Sequence, residues 1–245
     1  RRAGETISLV PTMGALHAGH LSLADTVRAR TDRVIVTIFV NPTQFAPTED
    51  FSKYPRTFEA DIAKVAAAGV DAVYAPNAAV MYPPGFATTV SLDGPAAAGL
   101  EDRFRPTHFA GVATVVAKLQ MQAMPNIAIY GEKDFQQLAV IRRMTRDLDM
   151  PIEIFGGTTV READGLALSS RNVYLKPEER AVAPTLHRSM TAAAGAIRRG
   201  APVEACLAES RAAITKAGFA LDYLDLRDAE TLGPADVASG RPLRL

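Results

Sequence analysis

The alternation of two apolar patterns over the first 156 residues constrains the fold more than any other feature of this sequence. Short runs rich in Val and Ile predict strands at residues 6–10, 33–40, 70–75, 127–131 and 151–156. Helical spacing of apolar residues predicts helices between these strands, at residues 20–30, 57–69, 109–123 and 133–148. Buried strands that alternate with helices form a parallel sheet covered on both faces.

The pattern changes after about residue 160. Two consecutive helices are predicted at residues 177–200 and 202–218, followed by a strand at 220–228. We therefore expect a Rossmann-like, doubly wound α/β domain over residues 1–159 and a smaller α+β domain over residues 160–245. The chain starts almost inside a strand, and its last residues, RPLRL, look like the beginning of another. We expect both ends to be shortened relative to the natural chain, the last strand included.

Composition narrows the class of protein. Hydrophobic residues make up 48% of the chain, which is enough for a sizeable core, and 27 basic residues balance 27 acidic ones. A balanced charge argues against a broad nucleic-acid footprint. The single cysteine, Cys206, excludes an intrachain disulfide framework and a cysteine metal cluster, and we expect it to be a buried structural thiol. No apolar run reaches the roughly 20 residues that span a bilayer, and no secretory leader is visible. We expect a cytoplasmic protein that binds neither nucleic acid nor membrane.

Three polar loops follow predicted strands. They are Met13–His20, Asn41–Phe45 and Gly131–Asp134. Because ligands of open parallel sheets bind beyond the carboxyl ends of the strands, these loops are expected to converge on one site.

The loop MGALHAGH places two of the four histidines, His17 and His20, three residues apart. Gly14 and Gly19 allow the backbone to approach a ligand closely, and the helix that begins near His20 offers free N–H groups. Two histidines beside it could donate hydrogen bonds to phosphate oxygens. Two alternatives are a zinc site, for which no further ligand stands at the right spacing, and a pair of helix-start histidines bound only to backbone groups.

Two other segments suit a phosphate. Lys133 stands at a strand-to-helix junction, with Asp134 at a helix N-terminus. Ser169, Ser170 and Arg171 follow a short apolar step, so their hydroxyls and guanidinium could hold a triphosphate. Because these three residues lie past the predicted domain boundary and Lys133 lies before it, we expect Lys133 and Arg171 in opposite domains, with the smaller domain closing over the bound triphosphate. The alternatives are a solvated, capped helix start for the first segment and a surface turn for the second.

Gln44 and Gln137 stand near predicted strand ends. An amide donates and accepts at once, which suits a substrate that carries hydroxyls and a carboxylate. The alternative for each is polar surface. Arg105 and His108 precede a long apolar helix, where His108 is either a helix cap or a ligand.

In order along the chain, PTMGALHAGH, IFVNPTQF, YPRT, RPTHFAGV, GEKDFQQL and READGLALSSRN resemble the pantothenate synthetase family, which belongs to the nucleotidyltransferase superfamily with the H-x-G-H loop. The resemblance runs through residues 7–175 and continues more loosely to the C-terminal helices. It implies an AMP-forming ligase that condenses pantoate with β-alanine through a pantoyl adenylate, on the route to coenzyme A. It also implies ATP as co-substrate, Mg²⁺ and a homodimer.

Carried over position by position, the resemblance implies roles for single residues. It gives His20 the role of proton donor and makes His17, Lys133 and Arg171 further catalytic residues. Gln44 and Gln137 would bind pantoate, and Gln44 also β-alanine. The implied nucleotide contacts are Met13, Gly14, Ala15, Leu16, His17, Ala18, Gly19, His20, Gly131, Glu132, Lys133, Asp134, Val160, Leu168, Ser169, Ser170 and Arg171.

The chain departs from the family pattern at two places. Thr43 stands where many relatives have Met, which alters the apolar wall expected against pantoate. Ala60 precedes Asp61 where some relatives have paired acids, so Asp61 is the one remaining candidate side chain for Mg²⁺, which ATP phosphates and water could also hold alone.

Three other functions stay open at the level of sequence. Another H-x-G-H nucleotidyltransferase would keep the nucleotide on its product. An aminoacyl-tRNA synthetase would need an anticodon domain, for which this chain has no room, and a basic stripe, which this chain lacks. A nucleotide-binding regulator without catalysis would not need the full set of His17, His20, Lys133 and Arg171.

Overall fold

A computed structural model of the protein describes residues 4–245. The chain divides into two compact units. The first contains the residues up to Val160 and Leu168–Arg171, and the second contains Arg161–Ala167 and Asn172–Leu245. The sequence predicted a single boundary between residues 159 and 160, whereas the chain leaves the first unit after Val160 and returns to it for four residues.

The first unit contains a five-stranded parallel sheet. Its strands pair in the order β3–β2–β1–β4–β5, with each pair parallel. The parallel sheet and its α/β class were predicted correctly. The strands are β1 (Ile7–Thr12), β2 (Arg33–Ile38), β3 (Ala72–Tyr74), β4 (Ile127–Gly131) and β5 (Glu153–Gly157).

Helices connect the strands. The four helices expected from apolar spacing are present, each within three residues of its predicted ends. Two further helices of four residues each were not predicted, because one turn is too short to show a helical period. The helices are α1 (Ala18–Arg28), α2 (Phe58–Ala67), α3 (Ala78–Met81), α4 (Glu101–Phe104), α5 (His108–Ala123) and α6 (Phe135–Asp147). Short 3-10 turns occupy Pro42–Gln44, Gly94–Ala97 and Glu132–Asp134.

The sheet is buried on both faces, which explains why its strands are continuously apolar. Successive residues of a strand point to opposite faces, so Leu9 packs with Val112 of α5 and Leu138 of α6. Its neighbour Val10 packs in a separate cluster with Leu23 and Val27 of α1. Two apolar layers therefore hold the strands rigidly and fix the loops at their ends.

The strand order reverses between β1 and β4. The connections after these two neighbours lead away in opposite directions, which leaves a crevice beyond their carboxyl ends. The loop after β1 carries His17, and the loop after β4 carries Lys133. The topology therefore brings two of the predicted phosphate-binding segments to the same crevice.

The second unit contains helices α7 (Pro177–Val182), α8 (Thr185–Arg198) and α9 (Val203–Lys216), and a two-stranded antiparallel ribbon, β6 (Arg227–Asp228) with β7 (Leu243–Arg244). The helix predicted at 177–200 is split at Pro184, whose ring nitrogen cannot donate to a helix. Cys206 is buried, as expected.

The strand predicted at 220–228 is wrong except for its last two residues. Leu224 is buried against Leu207 and Ile214. Its carbonyl accepts hydrogen bonds from the Arg211 guanidinium at 2.9 and 3.3 Å, where a strand would bond a neighbouring strand. The apolar alternation thus reflects packing of an irregular segment.

Across residues 4–245, no helix combines the length and the apolar character needed to cross a membrane.

Helix α5 lies directly against the turn Pro42–Gln44, and Gly111 makes this approach possible. A Cβ atom on Gly111 would overlap the carbonyl oxygen of Thr43 and lie 2.7 Å from its carbonyl carbon. The Asn41 amide also donates to the Gly111 carbonyl at 3.3 Å. Gly111 therefore determines how closely the turn that carries Gln44 approaches the helix.

Gly111 and Gly195 both lie inside helices, but replacing them by alanine should change the free energy of unfolding in opposite directions. Alanine normally stabilises a helix interior by about 0.5–1 kcal/mol relative to glycine. That gain is expected at Gly195, whose added Cβ would meet only the flexible end of Arg199 at 3.3 Å. Gly111→Ala should instead lower the free energy of unfolding by about 1–3 kcal/mol, because rigid backbone must move. Urea denaturation measures both. A Gly111→Ala variant as stable as Gly195→Ala would contradict the close contact.

Candidate active site

A pocket of about 210 Å³ opens at the carboxyl end of the sheet, within the first unit. Its walls come from the ends of the strands and the loops that follow them. Fourteen of the sequence-predicted site residues line it: Met13, His17, Gly19, His20, Gln44, Gly131, Lys133, Asp134, Gln137, Val160, Leu168, Ser169, Ser170 and Arg171. The predicted residues Gly14, Ala15, Leu16, Ala18, Glu132 and Asp61 lie outside the lining.

The two histidines are oriented by backbone groups. His17 is the N-cap of α1, and its Nδ1 accepts a hydrogen bond from the Gly19 N–H at 3.1 Å. His20 Nδ1 accepts from the His17 N–H at 3.3 Å, and the two ring centroids are 4.0 Å apart. A neutral imidazole that accepts at Nδ1 carries its proton at Nε2. Each ring therefore has one N–H donor left for a ligand.

Both rings are held in the neutral form. Burial, followed by the neighbouring His17, lowers the pKa of His20 to about 3. The pKa of His17 is also lowered, first by burial and then by the positive charges of Lys133 and Lys64. At neutral pH the pair is thus two uncharged hydrogen-bond donors that line one wall of the pocket.

The loop after β4 brings an exchangeable positive charge close to His20. The Lys133 ammonium pairs with the Asp134 carboxylate at 3.0 Å, and both side chains are largely exposed. Asp134 stands at the N-cap of α6 but makes no side-chain capping bond, contrary to one expectation from sequence. Exposed ion pairs contribute little, so Lys133 can exchange its partner for an anionic ligand at small cost.

Leu168–Arg171 form another part of the wall. Arg171 makes two parallel hydrogen bonds to the Asp50 carboxylate, both 2.8 Å, and its guanidinium lies 5.2 Å from the centroid of Tyr54. Hydrogen bonding from Arg171 lowers the pKa of Asp50. The Ser170 hydroxyl donates to the Ala15 carbonyl at 3.0 Å.

Lys133 and Arg171 were expected in opposite domains, and this was wrong. Both belong to the first unit. The reason is that the Arg171–Asp50 ion pair and the Ser170–Ala15 hydrogen bond tie this segment to loops of the sheet domain. Sequence position relative to a predicted boundary did not reveal these contacts.

Gln44 is oriented by a buried network that the sequence did not predict. Asn41, 1% exposed, donates from its amide to Gln44 Oε1 at 3.1 Å. The Asn41 carbonyl oxygen accepts from the Tyr82 hydroxyl at 2.7 Å and from the Thr43 hydroxyl at 3.0 Å. These contacts turn the amino group of Gln44 toward Met13, whose sulfur lies 3.2 Å away. Gln44 therefore presents a donor to the pocket.

Arg105 and His108 support the same turn from behind. His108 Nδ1 lies 2.9 Å from the Gln44 carbonyl oxygen, and Arg105 donates to that oxygen at 3.2 Å. Arg105 is itself paired with Glu49 and Glu101. His108 is the first residue of α5 and not its cap, and it lies outside the pocket lining. Neither the helix cap nor the ligand expected from sequence therefore describes it.

An apolar wall completes the pocket. It was predicted only as helix and strand core, because its residues follow the ordinary apolar spacing of α5 and of the strands. The wall consists mainly of Phe39, Val112, Val115, Val116, Leu119 and Tyr130. The polar residue Gln137, half-buried on α6, lines the same pocket.

No group of three or more potential metal ligands occurs within residues 4–245. The zinc alternative for His17 and His20 thus has no third ligand among these residues. Each Nδ1 atom also accepts a backbone hydrogen bond, so each Nε2 atom carries the ring proton and is not free to bind a metal. The pocket instead combines neutral donors, two cations and an apolar wall.

The chain is similar to known proteins over its whole length. A sequence model of the Pantoate-beta-alanine ligase family matches residues 1–244. The chain is 57% identical to a pantothenate synthetase of Rhodopseudomonas palustris (strain HaA2) over 245 residues, 100% of this chain and 87% of that protein. It is 58% identical to pantothenate synthetase 2 of Bradyrhizobium diazoefficiens, with the same coverage.

Solved structures agree. The structure of pantothenate synthetase from Thermus thermophilus has a TM-score of 0.92 and 49% identity, covering 96% of this chain and 86% of that one. A pantoate-beta-alanine ligase from Francisella tularensis, complexed with beta-gamma ATP and beta-alanine, has a TM-score of 0.74 and 35% identity, covering 85% and 78%. Since the family model spans nearly the whole chain and the relatives are more than half identical to it, this chain belongs to the pantoate–β-alanine ligase family.

Proposed function

We propose that this chain condenses pantoate with β-alanine at the expense of ATP, releasing pantothenate, AMP and pyrophosphate. The observation that carries the proposal is the composition of one pocket. Two neutral histidine donors and two cations line it together with an apolar wall and two glutamines. Such a pocket suits an anionic nucleotide beside a small substrate that is partly apolar and partly hydroxylated.

The first step is adenylation. A carboxylate oxygen of pantoate attacks the α-phosphorus of ATP, the bond from that phosphorus to the bridging oxygen breaks, and pyrophosphate leaves. The protein contributes position and charge neutralisation rather than covalent chemistry. Lys133 and Arg171, now paired with Asp134 and Asp50, would transfer to phosphate oxygens.

His17 and His20 would act on the phosphate as fixed N–H donors. Their Nδ1 atoms are occupied by backbone N–H groups, so Nε2–H is the group available to the transferring phosphate. A donor that is already oriented and desolvated stabilises developing charge without reorganisation. We therefore refine the role implied by the resemblance: His20 donates a hydrogen bond as neutral imidazole and does not transfer a proton from imidazolium.

The substrate end would bind pantoate through Gln44 and Gln137. The Gln44 amino group faces the pocket because Asn41 holds its carbonyl oxygen. Val112, Val116 and Leu119 supply apolar surface that suits the methyl groups of pantoate.

The second step is aminolysis. The β-alanine amine attacks the acyl carbon of the adenylate, loses a proton, and expels AMP together with one former carboxylate oxygen. Exclusion of water from the pocket would protect the adenylate from hydrolysis in the meantime.

Mg²⁺ is expected with ATP, where it would neutralise charge on the phosphates. No group of three His, Cys, Asp or Glu side chains within residues 4–245 is placed to hold a metal ion, and Asp61, the candidate from the sequence, lies outside the pocket lining. We propose that phosphates and water supply its ligands. A cytoplasmic location, a homodimer and a place on the route to coenzyme A also remain proposals.

AMP formation tests the function directly. The purified protein should release pyrophosphate from ATP only when pantoate is present, and it should release AMP, in a 1:1 ratio with pantothenate, only when β-alanine is added as well. A nucleotidyltransferase would keep the nucleotide on its product, and a regulator would release none.

In the same assay His20→Ala should lower the rate of adenylation by about a hundredfold or more, with ATP binding changed much less. An unchanged rate would assign His20 a purely structural role.

The protonation state of His20 can be measured by ¹⁵N NMR. A pKa of about 3 keeps its ring neutral from about pH 5 to 9, so its nitrogen shifts should stay those of the Nε2–H tautomer throughout. The adenylation rate should therefore not fall as the pH rises through 6.5, the ordinary histidine value. A titration near that pH, accompanied by loss of rate above it, would show that the imidazolium is the active form.

Two substitutions separate the pantoate end from the nucleotide end. Gln44→Ala leaves a substrate group unpaired, at a cost of about 1–3 kcal/mol, so the pantoate KM should rise about tenfold to a hundredfold. Tyr82→Phe removes only the hydroxyl that holds Asn41 and should raise the same KM severalfold. ATP binding without pantoate should be unchanged in both variants.

Tyr74→Phe provides the matched control, because Tyr74 is partly buried against the main core cluster and lies outside the pocket lining. Its kinetics should equal those of the unaltered protein. Weaker ATP binding by Gln44→Ala with a normal pantoate KM would move Gln44 into the nucleotide site.

A further inference from the structure

The loop between β1 and α1 has an unusual backbone. Gly14 has a φ of +80°, and Ala15, which has a side chain, follows with a φ of +49°. A residue other than glycine rarely adopts this left-handed conformation without local compensation. The consecutive N–H groups of Ala15 and Leu16 converge on one point, as in the backbone concavities that bind anions.

The anion in this concavity is the carboxylate of Asp61, on helix α2. Asp61 Oδ2 accepts from the Ala15 N–H at 2.8 Å, and Oδ1 accepts from the Leu16 N–H at 2.8 Å. Oδ1 also accepts from the Thr57 hydroxyl at 3.1 Å. The Asp61 side chain is 1% exposed. Asp61 therefore lies inside the protein and outside the pocket lining.

Lys64, one turn further along α2, also binds Leu16. Its ammonium donates to the Leu16 carbonyl at 2.6 Å and lies 4.0 Å from the Asp61 carboxylate. Leu16 therefore has both its N–H and its C=O bonded to side chains of α2.

These contacts determine where α1 begins. His17 follows Leu16 directly and is the N-cap, and its carbonyl accepts from the His20 N–H at 2.8 Å. A shift of the Ala15–Leu16 backbone would therefore move both imidazoles. We propose that Asp61 and Lys64 are positioning residues that hold the histidine loop in its nucleotide-binding conformation, and that Asp61 is not a ligand of Mg²⁺. This inference rests on the proposed function, since it assumes that the loop binds ATP.

The metal role fits Asp61 poorly for two reasons. Both carboxylate oxygens accept hydrogen bonds from the chain. The three donors, which are the N–H groups of Ala15 and Leu16 and the Thr57 hydroxyl, would lose their partner if the carboxylate turned toward a cation. Within residues 4–245, no cluster of three potential ligands includes it. Its charge instead satisfies backbone N–H groups, which is a strong, charge-assisted interaction.

ATP binding measured by calorimetry in the presence of EDTA separates the two roles. Asp61→Asn keeps the shape of the side chain but turns an amino group toward one of the two N–H donors, leaving that donor unpaired. ATP should bind about tenfold more weakly to this variant, with the same ratio in EDTA and in Mg²⁺. Glu59→Gln, an exposed acid on the same helix, is the control and should bind like the unaltered protein.

Lys64→Met provides a second variant that should fold, since the Lys64 side chain is 44% exposed. It removes the donor to the Leu16 carbonyl and should weaken ATP binding about threefold, again independently of Mg²⁺. If Asp61→Asn fails to fold, Lys64→Met decides the matter.

Three results would overturn the inference. A loss of affinity by Asp61→Asn that appears only with Mg²⁺ and is restored by excess Mg²⁺ would make Asp61 a metal ligand. Unchanged affinity of folded Asp61→Asn would make its contacts irrelevant to the nucleotide, as would unchanged affinity of Lys64→Met. An unaltered protein that does not bind ATP would instead overturn the proposed function.

Discussion

The pair of backbone hydrogen bonds to Nδ1 of His17 and His20 is the interaction on which the proposed chemistry depends. It selects the tautomer and orients both rings, while burial, followed by the neighbouring His17, lowers the pKa of His20 to about 3 and keeps the ring neutral. The bonds form only because His17 caps α1, and the Ala15–Leu16 backbone before His17 is fixed by Asp61 and Lys64 and follows strand β1. Two buried faces of the sheet hold that strand in place.

The strand order explains why one pocket can serve two different substrates. The crevice between β1 and β4 receives the histidine loop from one side and the Lys133 loop from the other. The same pocket continues over α5, whose apolar face and close contact at Gly111 form a separate surface with Gln44. Charge neutralisation and apolar recognition are thus properties of different elements. We infer that they can be altered independently, which is why substitutions at Gln44 and at His20 are expected to affect different kinetic constants.

Much of this organisation could be predicted from sequence, because continuous apolar strands and amphipathic helices have distinct periods. The same rule failed at residues 220–226, where alternating apolar residues pack against α9 while Arg211 binds the Leu224 carbonyl. Glycines and histidines in the first loop marked one wall of the pocket. The orientation of Gln44 was not predictable, since Tyr82 and Asn41 are far apart in sequence and follow no pattern. Nor was the return of Leu168–Arg171 to the first unit, which depends on the Arg171–Asp50 ion pair and the Ser170–Ala15 hydrogen bond.

The central claim is that pantoate is activated by forming a bond to the α-phosphorus of ATP. Pantoate labelled with ¹⁸O in both carboxylate oxygens tests this claim directly when it is incubated with the protein, unlabelled ATP and β-alanine, and the AMP is analysed by mass spectrometry. Each AMP should carry one ¹⁸O atom, because the bridging oxygen stays with phosphorus when the amine expels AMP. Unlabelled AMP, or ADP together with labelled inorganic phosphate, would contradict it.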